Sequence, residues 1–136
     1  MQTYETCVVD IVERVVAERY AVLSQTAQFA IDKRDRAVAV APPAAVEQLI
    51  RLALLDVAAT FVAPSRKNLI KIDVEQVGAA ITLELVATGL VAGLRRMDYF
   101  GAVTCAAHTR RYGGEFRIDK SKIDRRVLRI SLPAAA

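Results

Sequence analysis

Three segments of the chain carry apolar residues at intervals of three and four, a spacing that stacks them along one face of an α-helix. These segments cover residues 8–23, 44–61 and 100–112. The second segment is the most apolar, and Pro43 suits the first turn of its helix. Gly113 and Gly114 follow the third segment and are typical of a helix stop. The pattern therefore predicts three amphipathic helices.

Between and after these segments, apolar and polar residues alternate in six short stretches, which indicates strands with one buried face. A charged or glycine-containing turn separates the two members of each pair of stretches. The predicted hairpins join residues 29–31 to 38–40, residues 70–74 to 81–85, and residues 116–118 to 128–132. Strand pairs separated by single helices predict an α+β two-layer sandwich, with a mixed, mostly antiparallel sheet and three helices on one face.

The composition suits a single domain over residues 1–136, because 54% of the residues are hydrophobic and 25% are charged. The uncharged stretch that contains residues 21–31 is the longest in the chain, and it is much shorter than the roughly 20 residues that span a membrane. Residues 1–10 contain no basic residue, so a secretory signal is not expected. We therefore expect a soluble, cytoplasmic domain without a membrane segment.

One histidine and two widely separated cysteines are one ligand short of a tetrahedral zinc set. Cys7 and Cys105 are therefore expected to be buried, reduced thiols. His108 lies within the third predicted helix with no acidic residue four positions away, which favours a structural or surface role. No catalytic residue and no metal site is predicted from spacing alone.

Charge is unevenly distributed along the chain. Residues 1–90 carry 9 basic and 11 acidic residues, whereas residues 91–136 carry 10 basic and 4 acidic residues. The basic half includes three arginine doublets: Arg95-Arg96, Arg110-Arg111 and Arg125-Arg126. Such a half can contact an acidic partner or a phosphate, or it can be a solvated surface. No aromatic residues interleave with the doublets, so nucleic acid is not an expected partner.

Several short sequence motifs occur along the chain in the same order as in one known family. Residues 9–16 resemble the first helix of that family, and residues 47–58 resemble the helix that carries its N box. Residues 81–89 resemble the strand that ends in the D-x-G-x-G motif. Residues 112–118 resemble the "HGG-x-I" motif, and residues 129–133 resemble the closing strand, which ends in "LP". On these residues the chain resembles the catalytic ATP-binding domain of bacterial sensor histidine kinases, in the GHKL superfamily with the Bergerat fold. The resemblance covers nearly the whole chain.

The resemblance implies a vestigial nucleotide site at three positions. Asp56 takes the place of the second N-box Asn, which reaches the magnesium ion bound to the nucleotide phosphates, and Asp can also ligate magnesium. Gly89 remains from the first glycine box, and Gly101 stands for the second. If the domain were active, ATP and Mg²⁺ would bind at these residues, with Asp56 as the metal ligand.

Other positions depart from the family pattern. The first N-box Asn is Leu52, and the Asp that accepts a hydrogen bond from the adenine amino group is Ala87. An adenine amine left without an acceptor would cost about 1–3 kcal/mol. Only eleven residues, 90–100, stand where the family has a long lid, and Tyr99-Phe100 replaces Gly-Leu before Gly101. The resemblance therefore implies a degenerate site with no cofactor.

Two interpretations of Asp56 remain open at this stage. It is either a remnant of the magnesium site or a buried acid paired with a basic neighbour, such as Lys67 or Arg51.

The favoured function is a degenerate domain of the histidine phosphotransfer type in two-component signalling. Such a domain docks a response-regulator receiver or packs on phosphotransfer helices, and dimerisation would need a preceding helical domain. Candidate docking residues are Arg95, Arg96, Arg110 and Arg111. The first alternative is an active sensor-kinase catalytic domain that transfers phosphate from ATP to a histidine on another domain. The second is a stand-alone anti-sigma-type GHKL regulator, with which Met1 is consistent.

Overall fold

The computed structural model describes residues 4–33, 37–92, 100–119 and 124–135. The elements in chain order are β1 (Thr6–Cys7), α1 (Val8–Leu23), β2 (Gln28–Lys33), β3 (Val38–Ala39), α2 (Pro43–Ala58), β4 (Leu69–Val77), β5 (Ala80–Thr88), α3 (Phe100–Arg111), β6 (Glu115–Asp119) and β7 (Arg125–Pro133). The three helices lie within a few residues of the predicted segments. None of the helices described here has both the length and the apolar character needed to cross a membrane.

The apolar residues whose spacing predicted the helices lie on the buried faces of those helices. Pro43 is the first residue of α2 and follows Pro42 at the N-cap, where a missing backbone N–H removes no helical hydrogen bond. The apolar stripe of α1 is buried and consists of Val8, Val9, Ile11, Val12, Val15 and Val16. The helix α2 packs against both α1 and α3.

Five strands form one sheet in the order β2-β4-β5-β7-β6. The pairs β4–β5, β5–β7 and β6–β7 are antiparallel, and β2–β4 is parallel. Gly78, with a φ of 62°, lies in the tight turn between β4 and β5. Two of the three predicted hairpins are therefore present, and the mixed, mostly antiparallel sheet is confirmed.

The first predicted hairpin is wrong. The strand β2 pairs in parallel with β4, which places Phe29 beside Ile70 and Ile31 beside Ile72. The strand β3 instead pairs with β1 in a separate two-stranded sheet. Alternation identifies a half-buried strand but carries no information on its partner, and here the apolar row of β4 provides the better match. Part of the predicted charged turn, residues 34–36, lies outside the described residues.

The sheet has one buried and one charged face. On β5, residues Ile81, Leu83, Leu85 and Ala87 are buried, while the residues between them are partly exposed. The helices cover the buried face, where Val15, Leu54 and Cys105 are each at most 2% exposed. The opposite face carries charged side chains that include Glu84 and Arg129. The structure is thus the predicted α+β sandwich with three helices on one face.

Candidate functional site

The side chain of Asp56 is bound by the side chain of Arg126 in the interior of the protein. Arg126 Nε donates to Asp56 Oδ1 and Arg126 Nη2 donates to Asp56 Oδ2, each at 3.0 Å. The side chains of Arg126 and Asp56 are only 2% and 0% exposed. Both carboxylate oxygens are therefore engaged by the two parallel N–H groups of one guanidinium, the strongest geometry for this kind of pair.

Secondary structure explains why these two residues meet. Asp56 lies next to Val57 in the buried part of α2. Arg126 lies on β7 and is the register partner of Ala87 on β5, on the sheet face that the helices cover. Because Ala87 has only a methyl group, the sheet leaves space at this level for the long side chain of Arg126 to reach α2. The pair thus joins the middle helix to the sheet.

Burial makes the two charges mutually dependent. Removing either charge from water costs several kcal/mol, and the attraction and hydrogen bonds within the pair offset that cost only while both partners are present. Each partner is therefore needed while the other is present and charged, but the pair as a whole adds little net stability.

The two partners predicted for Asp56 from the sequence, Arg51 and Lys67, are wrong. Arg51 lies on the outer side of α2, where Nη2 is 2.8 Å from carboxylate oxygens of both Glu18 and Glu47. Lys67 is exposed in the loop before β4. The prediction of a buried acid with a basic partner is confirmed, and the partner, Arg126, is 70 residues away in sequence.

One signal in the sequence pointed to Arg126. It occupies an inward position of an alternating pattern whose later members, Leu128, Ile130 and Leu132, are apolar and buried. A charged residue at such a position requires a buried partner of opposite charge. Asp56, the acid on the apolar face of α2, is that partner.

The thiol of Cys105 lies close to this pair on the neighbouring helix α3. Its Sγ donates a hydrogen bond to the Leu49 carbonyl oxygen at 3.8 Å. Burial raises the pKa of this thiol to about 12, and the negative charge of Asp56 acts in the same direction against a hydrogen bond with Thr109. Cys105 is therefore a neutral, inert thiol, as expected, while Cys7 is free but only half-buried.

Gly89 has a packing role in this structure. Its φ is +117°, and an added Cβ would lie 2.8 Å from both the Asn68 Cα and the Lys67 carbonyl oxygen. Asn68 is fully buried. Its amide donates to the carbonyls of Thr26 and Ala63. Its side-chain oxygen accepts a hydrogen bond from the Leu90 N–H at 2.8 Å. The glycine at this position allows two backbone segments to approach closely.

The chain after Gly89 is tied to the segment that follows α2. The Val62 N–H donates to the Leu90 carbonyl at 2.9 Å, and the Ala92 N–H donates to the Thr60 carbonyl at 2.8 Å. These bonds hold residues 90–92 beside residues 60–62.

The remaining candidate residues lie on or before α3. Gly101 is in the first turn of this helix, and Arg110 and Arg111 are exposed in its last turn. The separation of Gly101 from Arg110 along the helix axis is about 14 Å at 1.5 Å per residue. Arg95 and Arg96 lie outside the described residues, as does most of the predicted short lid, residues 93–99. Over the described parts of the chain, no group of three or more His, Cys, Asp or Glu side chains is arranged to hold a metal ion.

Replacement of Arg126 by methionine is expected to lower the free energy of unfolding by about 3–5 kcal/mol, because Asp56 would remain buried without its partner. The double replacement Asp56→Leu with Arg126→Met should recover most of this loss, since it removes both charges together. Arg129→Met is the matched control, because the Arg129–Glu84 pair is partly exposed and should be worth less than about 1 kcal/mol. Urea denaturation of the variants measures these differences, and similar losses for Arg126→Met and Arg129→Met would contradict the argument.

The second prediction compares two glycines with positive φ. Gly78→Ala should cost about 1–2 kcal/mol for the backbone conformation alone, because nothing lies within 4 Å of the added Cβ. Gly89→Ala should cost a further 1–3 kcal/mol or so, because its Cβ meets the backbone around Asn68. Thermal unfolding followed by circular dichroism ranks the two variants, and equal losses would show that the close approach has no energetic consequence.

Comparisons with known proteins find similarity in the fold but not in the sequence. No protein-family model and no curated protein matches the sequence. Among solved structures, the mycobacterial sensor histidine kinase MprB matches with a TM-score of 0.79 and 12% identity over 98% of each chain. The nucleotide-free catalytic domain of histidine kinase ThkA matches with a TM-score of 0.76 and 14% identity over 98% of this chain and 96% of that one.

A third structure is a complex of ThkA with the response regulator protein TrrA. It matches with a TM-score of 0.76 and 14% identity, over 98% of this chain and 42% of that chain. These matches confirm, at the level of the fold, the resemblance drawn from the sequence. The chain therefore has the fold of a histidine kinase catalytic domain.

Proposed function

We propose that this chain is a histidine-kinase-like domain of two-component signalling that does not bind ATP and that acts by docking other proteins. The observation that carries this proposal is the buried pair of Asp56 and Arg126. It lies where the family resemblance places the magnesium ligand and beside the position of the adenine acceptor.

The residues present do not fit a magnesium–nucleotide complex. Magnesium would need an oxygen of Asp56, yet both oxygens accept hydrogen bonds from Arg126. The metal would also lie next to a positively charged guanidinium in a region of low dielectric, where repulsion between like charges is strong. The adenine amine would find the methyl group of Ala87 instead of a carboxylate. ATP and Mg²⁺ are therefore no part of the proposed activity.

The proposed partners are proteins of the same signalling class. Solved relatives by fold include a histidine kinase in complex with a response regulator protein. The last turn of α3 presents Arg110 and Arg111 to solvent, which suits an acidic surface on a response-regulator receiver. Phosphotransfer helices are the other partner that the resemblance implies.

Millimolar ATP with magnesium is expected to leave the melting temperature of this domain unchanged. A ligand present at 100 times its dissociation constant would stabilise the native state by about 2.7 kcal/mol, which corresponds to a shift of several degrees for a domain of this size. Differential scanning fluorimetry with and without the nucleotide makes the measurement.

The double variant Asp56→Leu with Arg126→Met is the control for this measurement, because it keeps an uncharged core and removes the magnesium ligand. A rise in melting temperature for the unsubstituted chain that the double variant lacks would overturn the proposal in favour of an active ATP-binding domain.

Alanine at Arg110 and Arg111, alone or together with Arg95 and Arg96, is expected to slow association with a receiver domain at low salt. Exposed charges at the edge of an interface mainly accelerate encounter, and salt screens them. Stopped-flow or surface plasmon resonance measurements at two salt concentrations report the association rate constant.

A control variant with the same loss of charge replaces Arg117 and Arg125. Arg117 is exposed on β6, and Arg125 is partly exposed at the start of β7. Equal slowing by the two pairs would indicate an effect of net charge alone and would remove Arg110 and Arg111 as docking residues.

A further inference from the structure

An apolar groove lies between the C-terminal halves of α1 and α2. Its volume is about 120 Å³, and its lining consists of Arg19, Val22, Leu23, Arg51, Leu54 and Leu55. Val22 is 70% exposed and Leu55 is 57% exposed, although both are large aliphatic residues. The floor of the groove is therefore apolar and open to solvent.

The contacts along the seam between these helices show that the groove interrupts a regular pattern. Arg14 pairs with Glu47 at 3.4 Å, and one turn later Glu18 pairs with Arg51 at 2.8 Å. From the first pair to the second, the contact advances four residues on each helix in the same direction, so the two helices run parallel. The next step reaches Val22 and Leu55.

The exposed seam is thus charged for two turns and apolar in the third. A solvated seam would be expected to continue with polar residues, because an exposed aliphatic side chain gains none of the free energy that its burial would contribute. Contiguous exposed apolar surface marks interaction sites, whereas isolated exposed residues do not, and here Val22 and Leu55 line the same groove.

The charges around the groove indicate the kind of molecule. Arg51 is already neutralised by Glu18 and Glu47, and the hydrogen bond from Arg51 lowers the pKa of Glu18. Arg19 is exposed, and its charge helps to lower the pKa of the neighbouring Glu18. Within the described ranges of the chain, however, Arg19 forms no ion pair. None of the residues that line the groove is acidic. The groove therefore combines an apolar floor with one available positive charge.

We propose that this groove docks an amphipathic helix of a partner protein, with a bulky apolar side chain between Val22 and Leu55 and a carboxylate beside Arg19. Two parallel helices present a furrow into which the side-chain ridge of a third helix fits. The inference goes beyond the proposed function and does not depend on it, because the groove is formed by residues other than Asp56, Arg126 and the exposed arginines of α3.

The probe is a synthetic, fluorescently labelled helical peptide with leucine at every third and fourth position and glutamate beside the leucine stripe. A second peptide carries lysine in place of each glutamate. Fluorescence anisotropy is expected to show tighter binding of the acidic peptide to the intact domain. Leu55→Ser should weaken that binding about tenfold or more, because it replaces one of the two exposed aliphatic side chains of the groove by a polar one. Arg19→Ala should weaken it a few-fold, and only at low salt.

Val103→Ser is the matched control, because Val103 is 61% exposed on α3 and lies away from the groove. It should leave the affinity for the acidic peptide unchanged, and circular dichroism should confirm that all variants remain folded. The proposal is overturned if the acidic peptide does not bind, or if Val103→Ser weakens binding as much as Leu55→Ser does.

Sedimentation of the domain alone distinguishes a second copy of this chain from a helical partner. A monomer at all concentrations is expected. A dimer that Leu55→Ser dissociates would overturn the proposal, since the occupant would then be the same groove of another copy.

Discussion

A buried carboxylate cannot remain charged without a partner, and this constraint organises the centre of the molecule. Asp56 on α2 is held by Arg126, which reaches it from β7 across the small side chain of Ala87. The pair sets how the middle helix sits on the sheet. It also occupies the place where the resemblance to histidine kinases puts a metal ion and a nucleotide base. One interaction therefore joins the middle helix to the sheet and also underlies the proposed loss of nucleotide binding.

Much of the fold could be predicted from the sequence, because the signals are local. Helical spacing located α1, α2 and α3 within a few residues, and alternation with Gly78 identified the β4–β5 hairpin. The partner of β2 could not be predicted, since an alternating strand fits any apolar neighbour and the pairing with β4 crosses α2. The sequence therefore predicted which segments form helices and strands better than it predicted which distant strands pair.

The candidate site was less predictable for the same physical reason. Residue type and family spacing located Asp56, but nearby Arg51 and Lys67 were chosen as partners because closeness in sequence was the only available guide. Arg126 can be identified from the rule that a residue on the buried face of a strand is either apolar or paired with a buried residue of opposite charge. Gly89 is a different case: its place in a nucleotide motif was identified, while the close approach of Asn68 that requires glycine there depends on the folded chain.

The mixed sheet has a consequence for the order in which the chain folds. The β4–β5 hairpin closes through a two-residue connection, so its formation costs little chain entropy. The parallel pair joins Gln28 to Leu69, about 40 residues apart, with α2 formed in between. Contacts of such long sequence separation slow folding. The strand β2 should therefore join a β4–β5 hairpin that has already formed.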